Sequence, residues 1–181
     1  MNDKKIIELQ LDRKINNFLE TAVRCPFSFP AVITVNPFIN KIAAPTIYWL
    51  SCPYLTYQVD RLEAESDLIS KLGKKLQGNI NFKNKMDKTH SKYAKNRLEL
   101  LSNEQKSKAK NISEDLYKTL TESGVGGIRD KKGIKCLHTH LADFLVDHFN
   151  PVGKIVFNKI NWPKKCNICQ ERVDGFESSC N

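Results

Sequence analysis

Ile7, Leu11, Ile15, Phe18 and Ala22 follow one another at three- and four-residue steps behind Asp3, a spacing that predicts one amphipathic helix over residues 4–22. The pattern then shortens. AVITV (31–35) is β-branched and flanked by prolines, and PTIYWL (45–50) is aromatic and β-branched; together they predict a strand pair connected through NPFINKIAA. From Ser51-Cys52-Pro53 the helical period returns, with Leu55, Val59, Leu62, Ile69 and Leu72 marking the apolar side of one long segment. Proline prefers the first helical position, so Cys52 falls at the N-cap, where the helix dipole and free N–H groups favour a thiolate. Further helices are predicted over 79–101, after a Ser102-to-Gln105 capping box, and after Ser113. GVGG (124–127) and Asp130 to Gly133 mark a turn without phosphate-loop spacing.

GIKCLHTHLADFLVDHFNP (133–151) predicts a helix stopped by proline, with Leu137, Leu141, Phe144 and Leu145 on its core face. KIVFNKI (154–160) reads as a strand, and the remainder as a loose tail. The expected architecture is α+β: one main domain over 1–160, mostly helical with a small antiparallel sheet or hairpin, and a cysteine-containing C-terminal tail over 161–181.

Composition narrows the setting. At 181 residues, 40% hydrophobic and 27% charged, the chain suits one folded core. AAPTIYWLSCPYL, its most apolar stretch, is too short to cross a bilayer, and MNDKKIIELQLDRK threads charges through its apolar positions, so the expectation is a cytoplasmic protein without a membrane partner. In a reducing compartment the six cysteines read as metal ligands or reactive thiols rather than disulfides. The net charge of +9 is matched by one stretch, Lys71 to Lys110, where eleven lysines and Arg97 face only Asp87, Glu99 and Glu104. Such a face can attract nucleic acid, or be an ordinary solvated helix.

The candidate chemistry centres on cysteine and histidine. If the 133–151 helix begins by residue 135, Cys136 and His140 share one face with Asp143 and Asp147, and His138 turns toward the apolar arc; if it begins later, Cys136 and His138 converge from an unwound turn. His148, near the helix end, reads as structural. Two positions on one helix cannot complete a metal centre, since zinc wants four donors and iron–sulfur clusters three or four thiolates. Cys25 and Cys52, each followed by proline at an element boundary, supply the rest, giving Cys25, Cys52, Cys136 and His140 as an expected zinc or iron–sulfur site; the alternative is unrelated buried thiols. Cys166-Asn-Ile-Cys169, with Cys180 beyond it, is half a zinc knuckle completed from the main domain, a redox pair, or incidental. Phe82, Met86, His90, Tyr93, Arg97 and Leu101 share a helix face. A buried Arg97 needs a carboxylate, for which Asp60 and Glu63 are candidates, or a small anionic ligand held together with His90 and Tyr93.

RCPFSFPAVITVNPF, PTIYWLSCPYLTYQVDRLEAE, the His90/Tyr93/Arg97 helix, GVGG and IKCLHTHLADFLVDHFNPVG, in that order over residues 24–156, resemble the bacterial DUF501 family of uncharacterised proteins. The resemblance implies one small cytoplasmic bacterial domain and no assigned activity, cofactor or catalytic residue. Three functions stay open. The first is a metal centre with the Arg97 face orienting an anion and His90 or His138 moving protons. The second is a nucleic-acid or ribosome-associated protein using the basic face. The third is metal-free thiol catalysis by Cys136 or Cys52 with a nearby histidine as base.

Overall fold

The computed structural model describes residues 1–179, and Cys180 lies outside them. Helix α1 (Asp3–Leu11) is capped by Asn2, whose side chain accepts the Lys5 N–H at 2.9 Å. It stops at Asp12, which adopts a left-handed conformation (φ 51°), so the helix expected over 4–22 ends halfway. Its second half is strand β1 (Phe18–Arg24), followed by β2 (Pro30–Val35), the short hairpin of β3 (Phe38–Ile39) and β4 (Ile42–Ala43), and β5 (Tyr48–Leu50). Ile15 and Phe18 do join Ile7 in one apolar cluster, but from a turn and a strand rather than successive helical turns. Steps of three and four fit either arrangement once the chain reverses.

Strand β2 runs antiparallel between β1 and β5, and all its residues are buried. Ile33 and Val35 face α1, while Ala31 and Val32 join the main core. Covered on both sides, the strand shows no alternation and is apolar at every position but Thr34. Its pairing with β1 slips register between Phe18 and Glu20, Thr21 and Val23, and Val23 and Arg24.

The main core is closed by α2 (Pro53–Glu65), α3 (Leu68–Gly78), α4 (Ile80–Glu99), α7 (Leu137–Asp147) and α8 (Pro151–Ile160). Helices α5 (Asn103–Ile112) and α6 (Glu114–Glu122) build a smaller cluster on Phe38, Leu101, Ala109 and Leu120. The Ser102–Gln105 capping box forms as expected, and Ser113 caps α6. The segment expected as one long helix after Cys52 is two, because Ser66 is extended and its hydroxyl bonds back to the Leu62 carbonyl. KIVFNKI is helix α8 rather than a strand. Asn150 accepts the N–H groups of Val152 (3.0 Å) and Gly153 (2.9 Å), and Pro151 occupies the first turn, so the capping chemistry outweighs local β-propensity. In the tail, α9 (Ile168–Ser179) lies against α1, with Arg172 Nη1 donating to the carbonyls of Leu9 (2.9 Å) and Gln10 (2.7 Å).

Helices α7 and α8 meet closely at Gly153, where a side chain would strike the His140 carbonyl and Phe144 Cβ. Between them Asn150, fully buried, donates through Nδ2 to Asp143 Oδ2 (2.8 Å) and reaches His140 Nδ1 (3.1 Å). Burial, with His90 nearby, depresses the His140 imidazole to about 3, and burial lifts the Asp143 carboxyl to about 7 against the opposing Asn150 hydrogen bond. His90, held to about 4 by burial, accepts the Val125 N–H at Nδ1 (3.1 Å).

Three outcomes follow from these contacts. Gly153→Ala forces the helices apart and is expected to cost about 3 kcal/mol in urea denaturation. The folded protein keeps a proton on Asp143 that the unfolded chain loses above about pH 4, so this group's contribution to stability falls as pH rises from about 4 to about 7. Asp143→Asn should therefore be more stable than the parent at pH 8 and no more stable at pH 4. His90 and His140 act oppositely: their unfolded forms bind protons below about pH 6.5, so both proteins should lose stability as pH falls from there toward 4.

Candidate functional site

Where α7 begins decides the site. Cys136 is its N-cap, with extended backbone (ψ 146°), so Cys136 is outside the helix and His138 stands in the first turn. This is the later of the two starts considered from sequence, and it brings thiol and imidazole together. The Glu63 carboxylate of α2 accepts the Leu137 N–H, one of the amides a helix leaves without an internal partner. Three residues earlier on the same face, Asp60 Oδ1 lies 3.1 Å from His138 Nε2, and Glu63 Oε1 lies 3.7 Å from His138 Nδ1.

These contacts act on both partners. Burial raises the Cys136 thiol and Glu63 opposes its ionisation, but the His138 hydrogen bond and the Thr139 amide prevail, and the thiol falls below its ordinary value. Burial likewise disfavours charge on His138, yet Cys136, Glu63 and Asp60 lift the imidazole above its ordinary value. Both shifts favour a thiolate–imidazolium pair.

Cys136 and His138 line a pocket of about 210 Å³ whose walls include Leu11, Trp49, Arg13 and Lys135. Arg13 lies over the Trp49 ring, 4.8 Å from its centroid. Thr139 also lines the pocket; it is buried, and its Oγ1 has no hydrogen-bond partner among the described residues. Across from it Gly126 holds φ 65°, and a side chain there would meet Thr139 and Lys135. The GVGG run is thus a turn that lets backbone approach the pocket wall.

The other expected site residues go elsewhere. Cys25 and Cys52 come together, but beside Cys166 and Cys169 around a second cavity; Cys136 lines the first pocket and His140 belongs to the α7–α8 junction. The expected set of Cys25, Cys52, Cys136 and His140 is therefore not assembled, and among the described residues no group of three or more His, Cys, Asp or Glu side chains stands ready to hold a metal. Cys52 does cap α2, but burial pushes its thiol up to about 11, so desolvation overrides the helix dipole.

His90, Tyr93 and Arg97 are enclosed and partnered by backbone. Arg97 donates to the carbonyls of Leu120 (2.6 Å), Pro45 (3.0 Å) and Ser123, closing the C-terminus of α6, and neither Asp60 nor Glu63 reaches it. The Tyr93 hydroxyl accepts the Ile47 N–H at 2.8 Å. A helix end with unsatisfied carbonyls is a natural berth for a guanidinium, and Arg97 takes that structural role here. On the basic stretch, Lys71, Lys92, Lys95 and Lys108 pair with Asp67, Asp147, Glu99 and Glu104. Lys83, Lys85 and Lys88 stay exposed.

Sequence reasoning missed Asp60 and Glu63 as partners of His138, having weighed them only for Arg97. Their three-residue spacing was the available signal. Arg13, Trp49 and Thr139 carried none, since they reach the pocket from separate elements.

Among the described residues no helix is long and apolar enough to cross a membrane. No curated protein and no solved structure matches the chain. Residues 21–158 do match one protein family, spanning both strands of the central pair, the Asp60/Glu63 face and the whole of α7. The chain belongs to that family, described as Protein of unknown function (DUF501).

Proposed function

We propose that this protein is a cysteine-dependent acyl-transfer enzyme, with Cys136 as nucleophile, His138 as its proton partner and Asp60 orienting the imidazole. One observation carries the reading: a thiol biased toward thiolate and an imidazole share the wall of a solvent-open apolar pocket, and a carboxylate outside that wall contacts the imidazole. Leu11 and Trp49 offer the substrate's apolar part a surface, and Arg13 and Lys135 favour an acidic group on it.

The Cys136 thiolate forms a C–S bond to the acyl carbon, and the His138 imidazolium gives its proton to the leaving group as that bond breaks. Water then attacks the thioester while neutral His138 takes one of its protons, and the C–S bond breaks to release the acid and restore the Cys136 thiolate beside the His138 imidazolium. The His138 N–H, in the first turn of α7 and engaged by neither Glu63 nor the Cys136 sulfur, is the donor offered to the oxyanion.

A second reading, binding of RNA or DNA by the exposed lysines of α3 to α5, is favoured by Lys83, Lys85 and Lys88, which form no ion pair among the described residues. It predicts affinity for a single-stranded oligonucleotide falling at least tenfold between 50 and 200 mM salt, roughly the response of a few phosphate contacts. Salt-insensitive binding rejects it.

The thiol reading is tested by iodoacetamide labelling of the full chain, resolved by peptide mass. Cys136 should be alkylated fastest at pH 7, with a midpoint below the free-thiol value of about 8.5. His138→Ala should raise that midpoint and slow labelling about tenfold. Asp60→Asn should lower the His138 titration seen by NMR. Equal labelling of Cys136 and the partly exposed Cys166 would sink the assignment.

A further inference from the structure

We infer that Cys25, Cys52, Cys166 and Cys169 form a tetrathiolate site for a single zinc ion. This site is separate from Cys136, and the inference does not rest on the thiol chemistry proposed there.

The four cysteines come from three distant parts of the chain and line one cavity. Cys25 follows β1 at a tight turn, its N–H donating to the Phe29 carbonyl (2.9 Å) and its carbonyl accepting the Ser28 N–H (2.9 Å). Cys52 caps α2, and Cys166 and Cys169 bracket the start of α9 with the two-residue separation usual in zinc sites. Phe27, Phe29, Tyr54 and Trp162 enclose them. The cavity is about 10 Å³, room for one ion and too small for an iron–sulfur cluster.

Two side chains outside the four sulfurs point to the same use. Gln10 Nε2 donates to Cys169 Sγ at 3.2 Å. Trp162 lines the same cavity, and its indole N–H is buried there without a hydrogen-bond partner of ordinary geometry among the described residues. N–H groups aimed at sulfur are what a metal-bound thiolate takes from its surroundings, since they spread its charge and fix its direction.

The sulfurs ring the cavity without being drawn to ligand distance, as neutral thiols would. Four thiolates crowded around one small cavity would repel one another. A divalent cation removes that conflict, and rotation about each Cα–Cβ bond lets the sulfurs close on it. Soft thiolate donors select zinc over hard cations, and a fourth sulfur leaves no open position, so the ion is structural. It pins α9 to the sheet and to α2, where Arg172 and Gln10 already guide it. Binding releases thiol protons, so occupancy should weaken in acid.

The test is cobalt(II) titration of the full-length chain, reduced and stripped of metal. One equivalent should produce the near-ultraviolet sulfur-to-cobalt charge-transfer band and the intense visible bands of tetrahedral tetrathiolate cobalt, both erased by one equivalent of zinc. Cys52→Ser and Cys166→Ser should lower zinc affinity at least 100-fold; Cys136→Ser should leave the titration unchanged. Because a serine variant can fail to fold, Cys169→His is included: it should keep tetrahedral bands with charge transfer reduced from four sulfurs to three. Absence of the charge-transfer band in the parent protein, full binding by the Cys166→Ser variant, or loss of the band in Cys136→Ser overturns the inference.

Discussion

The Glu63 carboxylate takes the first amide of α7, and much of the site's geometry depends on that one bond. A helix begins where something outside it accepts its leading N–H groups. Here the acceptor belongs to α2, so the start of α7 is registered against a neighbouring helix rather than by its own cap. Cys136 is left in extended backbone, and His138 is placed above Asp60. Had α7 begun a turn earlier, Cys136 would have stacked over His140, which the fold commits to Asn150.

The cysteines show how burial and local charge compete. Cys52 and Cys136 both cap helices, and the macrodipole alone would treat them alike. Cys52 is enclosed by aromatic side chains, and desolvation dominates. Cys136 is less enclosed and has an imidazole beside it, so the His138 hydrogen bond and the Thr139 amide outweigh the desolvation it does suffer. Arg97 follows the same logic with opposite sign. Burial lowers it to about 10, still a cation at neutral pH, and three backbone carbonyls replace the water it gave up.

Much of the fold could be read along the chain because its signals were local. The β2–β5 pair, the capping box at Ser102 and the proline-started α2 each rest on residues a few positions apart. Errors came where one pattern served two geometries. The spacing of Ile7 to Ala22 fits a helix and also a helix folded back into a strand, and KIVFNKI has strand residues behind a strong helix cap. Of the site, the Cys136–His138 pairing was readable once a late helix start was allowed. That Cys25 and Cys52 face the Cys166–Cys169 pair was not, because docking of α9 on α1 depends on backbone carbonyls of Leu9 and Gln10. The partners of Arg97 were hidden for the same reason.

The slipped register of β1 has a consequence at the rim of the sheet. That strand is an outer one, with β2 on one side, and three interruptions in a few residues bend and twist its free backbone away from a straight line. A second copy seeking to extend the sheet would find no regular row of donors and acceptors to zip onto. The irregularity thus works as a guard against runaway self-association.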